Sequence, residues 1–206
     1  MDSHSRVLDL ACGRCGPAII LAETFGCQIV GVERAPEFVK VARERVAEAG
    51  LEPLIEVIER DVREFPREPN AFDAALCLGA SIIWDGLDGT LAALAPRVVP
   101  RGHIVVGEPF WRQWLLPEEI DPEGFASLSG TIERFKAADL VPIGLVAASE
   151  DDWDVYESLH WRALEDWLAD NPNDPDATEI RQLHEEARDQ YLTVRLGLLG
   201  WAIVRR

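Results

Sequence analysis

Val7-Leu8-Asp9-Leu10-Ala11-Cys12-Gly13-Arg14-Cys15-Gly16 decides the reading of this chain. An apolar run interrupted by one acid reads as a buried strand. The turn after it is rich in small residues, which let the backbone come close to a ligand, and residues 17–25 then read as an apolar helix whose first amides are free to donate. Asp9, near the strand's end, is placed to accept from a cationic or hydroxylated ligand. The competing reading of the segment alone, a tight strand-to-helix connection with nothing bound, carries less weight.

Outward from it, short β-rich runs alternate with helical patterns. Strands are predicted over residues 6–10, 28–33, 55–58, 72–78 and 103–108, and helices over 17–25, 36–49 and 87–98. This alternation signals a parallel sheet covered on both faces. Pro36 suits a first helical turn and Gly50 a helix end. Beyond residue 108 the spacing predicts a helix over 130–138, a strand over 142–148, helices over 151–168 and 176–196 separated by Asn171-Pro172-Asn173-Asp174-Pro175, and a last strand over 198–204.

In such sheets ligands bind outside the carboxyl ends of the strands. Glu33 ends the second strand twenty residues after Gly13, where an acid of a mononucleotide-binding half meets ribose hydroxyls. After the third strand comes Arg60-Asp61-Val62, with a carboxylate that can accept from an adenine amino group and an apolar neighbour to pack on the ring.

The order of these features, with Leu78-Gly79-Ala80-Ser81 after the fourth strand, resembles the class I S-adenosylmethionine-dependent methyltransferases. The resemblance implies a three-layer Rossmann-like fold with a seven-stranded sheet, mostly parallel with an antiparallel last strand. It implies one methyltransferase domain over residues 1–206 with a helical insertion at about 150–196. It places Asp9 and the backbone of Ala11 and Gly13 near the methionine part of S-adenosylmethionine, Glu33 at the ribose, Asp61 and Val62 at the adenine, and Leu78 beside the cofactor. Arg34, next to Glu33, is counted with this set. The implied reaction is direct in-line methyl transfer to a small molecule. Gly107-Glu108-Pro109-Phe110-Trp111-Arg112 is similar to the corresponding string of a little-characterised bacterial branch of the superfamily. Two departures stand out. Ala11 and Cys15 occupy positions where the family often has glycine, so a thiol could narrow the cofactor entrance. The first strand also begins without the cover helices that usually precede it.

Other readings compete for the same residues. Cys12-Gly13-Arg14-Cys15 is a C-x-x-C sequence between strand and helix, as in a thioredoxin-like dithiol; the βαβαβ order, Asp9 and Glu33 weigh against it. A nicotinamide-dependent oxidoreductase would want G-x-G-x-x-G, of which Ala11, Gly13 and Gly16 supply two glycines. A non-catalytic S-adenosylmethionine-binding module is the third. No second Cys or His pair stands at zinc-ligand spacing.

For the acceptor, Glu108 ends the fifth strand and is followed by Phe110, Trp111 and Trp114. A carboxylate beside aromatic rings can orient an amine or act as base. Trp84, Trp111 and Tyr156 are the candidate acceptor contacts. In the late helix Trp153, Tyr156 or Glu157, His160, Leu164 and Trp167 recur at helical spacing and are expected to share a face, with His160 either a base or a core histidine.

Composition bounds the rest. A chain of 206 residues, 48% hydrophobic, suits one domain with a real core. With 37 acidic and 20 basic residues the formal net charge is -17, which repels nucleic acid and anionic membrane surfaces and leaves small neutral or cationic substrates. No apolar run reaches the roughly 18 residues of a membrane span, and the N-terminus lacks signal-peptide features. A cytoplasmic protein whose four cysteines are reduced thiols is expected.

Overall fold

In the computed structural model, residues 1–111, 125–194 and 201–205 are described, with backbone alone for 193–194 and 201–205. Arg112, Trp114, and the expected helix end at 196 and strand start at 198 lie outside them.

The strands are β1 (Arg6–Leu10), β2 (Gln28–Glu33), β3 (Ile55–Glu59), β4 (Phe72–Leu78), β5 (Val98–Gly107), β6 (Val141–Val146) and β7 (Trp201–Arg205). The helices are α1 (Gly16–Phe25), α2 (Pro36–Glu48), α3 (Leu87–Leu94), α4 (Leu128–Ala137), α5 (Glu150–Asp170) and α6 (Ala177–Val194). One sheet runs β3-β2-β1-β4-β5-β7-β6, parallel except for β7, which is antiparallel to both neighbours. The chain moves outward from β1 to β2 and β3, then returns to place β4 on the other side of β1. The β1/β4 junction is therefore the switch point at which α/β sheets open a crevice.

The chain divides into two compact units, one drawn from residues 1–108, 129–146 and 201–206, the other from 109–128 and 147–200. In the first, alternate residues of each strand feed opposite layers. Leu8, Leu10, Val30, Val32, Ala75, Cys77, Ile104 and Val106 pack with Leu87, Leu91 and Leu94 of α3 and Phe135 of α4. Val7, Ile29, Ala74 and Leu76 pack with Ala18 and Ala22 of α1 and Ala42 and Val46 of α2. Covering both faces explains why the strands read as nearly continuous apolar runs. Pro17 and Pro36 sit in the first turns of α1 and α2, where a missing N–H costs nothing, and Gly26 closes α1 at φ +68.

Two boundaries among the described residues differ from the sequence reading by more than two residues. The helix expected to reach residue 98 stops at Leu94 and tightens into a 3-10 turn, Ala95–Arg97, because Pro96 cannot donate into the helical ladder. The fifth strand starts at Val98 rather than 103, pairing with Phe72 before an irregularity that takes in Arg101 at φ +68.

The second unit contains α5 and α6. Ser149 and Asp152 form a capping box, so α5 starts at Glu150, one residue before the expected start at 151. Tyr191 Oη donates to Asp154 Oδ1 at 2.8 Å, Trp161 meets Tyr191 edge-on, and the buried His184 lies 3.6 Å from Glu165. Trp153, Asp154, Glu157, Trp161, Leu164, Trp167 and Leu168 form the less exposed stripe of α5. Among the described residues, no helix is long and apolar enough to cross a membrane.

Arg97 is fully buried in the first unit, and its guanidinium donates to the carbonyls of Ala93, Phe65 at 2.9 Å and Pro66 at 3.3 Å. It ties the end of α3 to the segment before β4. Arg97→Met keeps the apolar stem but strands three carbonyls, so it should cost about 3 kcal/mol in urea denaturation.

Candidate functional site

The carboxyl ends of β1 to β5 bring most of the sequence-predicted residues to one edge of the first unit. At the end of β1 the chain turns through positive φ at alternate positions: Ala11 at 59°, Gly13 at 53° and Cys15 at 57°. Such alternation turns successive amides toward a common concavity that favours an anionic or electron-rich group. Only Gly13 adopts this region without strain, while Ala11 and Cys15 each pay about 1 kcal/mol.

Glu33 answers that concavity. Its Oε2 accepts from the Gly13 amide at 3.1 Å, and Oε1 accepts from the amides of Arg34 at 2.8 Å and Ala35 at 2.9 Å. The neighbouring backbones are laced in the same way, with Cys12 N–H donating to Val32 O at 3.1 Å and Arg60 N–H to Glu33 O at 2.8 Å. Glu33 is thus first a clamp that spans the β1 and β2 turns. A carboxylate has about four lone-pair sites, so Oε2 keeps acceptor capacity for a hydroxyl.

Asp9 lies on the same sheet face, opposite Gly31 in register. It is buried, and its Oδ2 meets no hydrogen-bond donor among the described residues. Burial, helped by the charge of Glu33, pushes its carboxyl up to about 7. A buried carboxylate oxygen without a donor, beside a cradle of amides, suits a ligand that brings positive charge or donors.

Asp61 stands past β3, partly exposed, with Val62 buried behind it. Both its oxygens are held by Arg63, whose Nη2 lies 2.6 Å from Oδ2 and whose Nε and backbone N–H reach Oδ1 at 3.0 and 2.9 Å. That grip holds the Asp61 carboxyl down at about 2. Arg63 was missed in the sequence, although an acid two residues before an arginine in a turn is a local signal for the pair. Leu78 ends β4 half-buried, and Gly79 N–H continues the ladder to Gly107 O at 3.2 Å. Glu108 is buried just past β5. Trp84, in a 3-10 turn at Ser81–Trp84, is half-buried against the α3-side core.

The remaining candidates belong to the second unit. Trp111 pairs with Ser127 and buries an indole N–H with no acceptor among the described residues. Tyr156 and His160 meet edge-on with ring centroids 4.5 Å apart, but both are exposed, off the packed stripe of α5. Of the face expected on this helix, Trp153, Glu157, Leu164 and Trp167 lie on the less exposed side, whereas Tyr156 and His160 do not. Exposure also removes the core-histidine reading of His160.

The thiol of Cys15 does not narrow an entrance. It is fully buried with Cys12 in the α1-side core, where both sulfurs rest on Gly31. Gly31 is the second residue that the sequence reading missed, and only spatial proximity reveals its role.

Residues 7–102 match the family described as methyltransferase domain. A SAM-dependent methyltransferase from Geobacter sulfurreducens, crystallised with S-adenosyl-L-homocysteine, superposes with a TM-score of 0.92 at 27% identity, covering 100% of this chain and 86% of that one. The chain thus carries a methyltransferase domain and resembles the class I S-adenosylmethionine-dependent methyltransferases. It is an enzyme with S-adenosylmethionine as cofactor, on an α/β Rossmann-like fold. The uncharacterised protein YjhP of Escherichia coli K12 is 29% identical over 98% of this chain and 84% of its own length. A glycine/sarcosine/dimethylglycine N-methyltransferase of Actinopolyspora halophila is 27% identical over 80% of this chain but only 30% of its own length.

The Asp9 geometry makes a stability prediction for the cofactor-free enzyme. Its folded carboxyl titrates above the unfolded one, so the native state binds more protons between about pH 4 and 7 and loses stability as pH rises through that window. Asp9→Asn removes this term. Measured by denaturation, the variant should gain on the wild type from pH 4 upward, by at most about 4 kcal/mol, and the difference should level off above pH 7.

Proposed function

We propose that this methyltransferase acts on a small-molecule acceptor, with the cofactor held across the carboxyl ends of β1 to β4 and the acceptor approached from Glu108. The observation that carries the cofactor placement is the Gly13–Glu33 clamp beside the donor-less oxygen of Asp9. In this reading Asp9 takes the amino end of the methionine part, and the backbone of Ala11 and Gly13 lines it. Glu33, with Arg34 next to it, meets the ribose diol. Asp61 and Val62 meet the adenine and Leu78 packs beside it.

When bound, S-adenosylmethionine supplies a methyl group on an already activated sulfonium, so direct in-line transfer needs little further chemistry. The chain's own residues then have to orient the acceptor, exclude water and, where the acceptor carries a proton that must leave, accept it. Glu108, buried at the sheet edge, is the proposed base or orienting carboxylate. Trp84 offers an apolar surface in the first unit. Trp111, Tyr156 and His160 are proposed acceptor contacts of the second, as rings that suit apolar or cationic groups. The net charge of -17 favours neutral or cationic acceptors. The N-methyltransferase relative, named for small amino acids, supports that class. We further propose that α5 and α6 form an insertion within one methyltransferase domain, and that the enzyme works in the cytoplasm.

Glu33→Ala tests the cofactor placement. It removes three amide contacts and the ribose acceptor together, so the dissociation constant for S-adenosylmethionine by calorimetry should rise at least about tenfold, with cooperative thermal unfolding retained. Unchanged affinity would move the ribose elsewhere. Acceptor class is tested by supplying methyl-labelled cofactor with panels of small amines, hydroxylated compounds, proteins and nucleic acids. Label should appear in a small molecule, and exclusive labelling of protein or nucleic acid would overturn the proposal.

A further inference from the structure

Methyl transfer leaves Cys12 and Cys15 without a task. The two sulfurs lie 3.6 Å apart, both buried, at either end of Gly13-Arg14. A disulfide needs about 2.0 Å, a closure within reach of side-chain rotation and a small shift of the turn. Three features of this chain hold the pair together. Gly31 lacks the Cβ that would stand 3.0 Å from Cys12 Sγ and 3.4 Å from Cys15 Sγ. Cys15 sits at φ +57, a position that glycine would occupy without strain, so the thiol is kept there against the backbone's preference. Arg45 Nη1 donates to Arg14 O at 2.9 Å, which anchors a guanidinium on the same turn. The hydrogen bond shared by the sulfurs lowers the Cys15 thiol and raises that of Cys12, and the charge of Arg45 helps to lower Cys15.

We propose that Cys12 and Cys15 are a redox site built into the cofactor turn, oxidised to a disulfide by a hydroperoxide, and that this oxidation weakens S-adenosylmethionine binding. The second half rests on the placement of the cofactor on the Ala11 to Gly13 backbone. In the first step the turn opens to admit the peroxide, and the Cys15 thiolate attacks one of its oxygens. An S–O bond forms, the O–O bond breaks, and water leaves. The Cys12 sulfur then attacks Cys15, the S–S bond forms, the S–O bond breaks and a second water leaves. Two thiols and one hydrogen peroxide become one disulfide and two waters, with two electrons passed from sulfur to oxygen. Gly13 lies inside the closed loop, so drawing the sulfurs together shifts its amide from Glu33.

The experiment uses the full chain, reduced and then exposed to hydrogen peroxide. Mass analysis after thiol alkylation should show the loss of two hydrogens in the peptide bearing Cys12 and Cys15, with Cys27 and Cys77 still alkylated. The dissociation constant for S-adenosylmethionine should rise at least about tenfold on oxidation and recover with dithiothreitol. Cys15→Gly, suited to the positive φ, should lose the response to peroxide. Persistence of both thiols, separate sulfinic acids, or a disulfide with unchanged affinity would overturn the proposal. A chain that forms the disulfide yet binds no S-adenosylmethionine when reduced would overturn the cofactor placement, and with it the regulatory consequence, while leaving the disulfide established.

Discussion

The bond from the Gly13 amide to the Glu33 carboxylate joins the turns after two adjacent strands, and the geometry of the cofactor edge follows from it. Without a partner the amides of a left-handed turn would have to be solvated or would let the turn relax, and the strain at Ala11 and Cys15 would have nothing to offset it. With Glu33 in place the turn is shaped before any ligand arrives. Preorganised donors of this kind lose no reorganisation energy on binding.

Much of this was legible in the residues because it is local or periodic. The first, second and fourth strands were read to the residue, since each is an apolar run bounded by turn residues. Asp9, Glu33 and Asp61 were singled out because each stands at the carboxyl edge of a strand. What escaped depends on proximity across the sheet: Gly31 beneath two sulfurs, Arg45 on the Arg14 carbonyl, and Glu33 serving the Gly13 amide. On α5 the spacing picked out Trp153, Glu157, Leu164 and Trp167 on the less exposed side but also took in the exposed Tyr156 and His160. Asp154 escaped because its place there comes with a hydrogen bond to Tyr191 of α6.

Arg97 illustrates how the fold supports the site from a distance. By closing three carbonyls it fixes the segment entering β4, and β4 carries Leu78 and the turn that follows. A buried guanidinium is tolerated here because every carbonyl it meets would otherwise be left bare. The strand that carries Leu78 is thus entered through a segment held by a charged residue buried in the core.

The two carboxyls at the edge, Asp9 and Glu33, also bear on turnover. Transfer of the methyl group removes the sulfonium charge, so with the cofactor placed as proposed, substrate and spent cofactor would differ by one positive charge in front of the same acids. Above about pH 7, where Asp9 is ionised, their field would attract the incoming form more strongly than the outgoing one. Buried charges feel little salt screening, so on that placement the arrangement that shapes the turn would also tell the two forms of the cofactor apart.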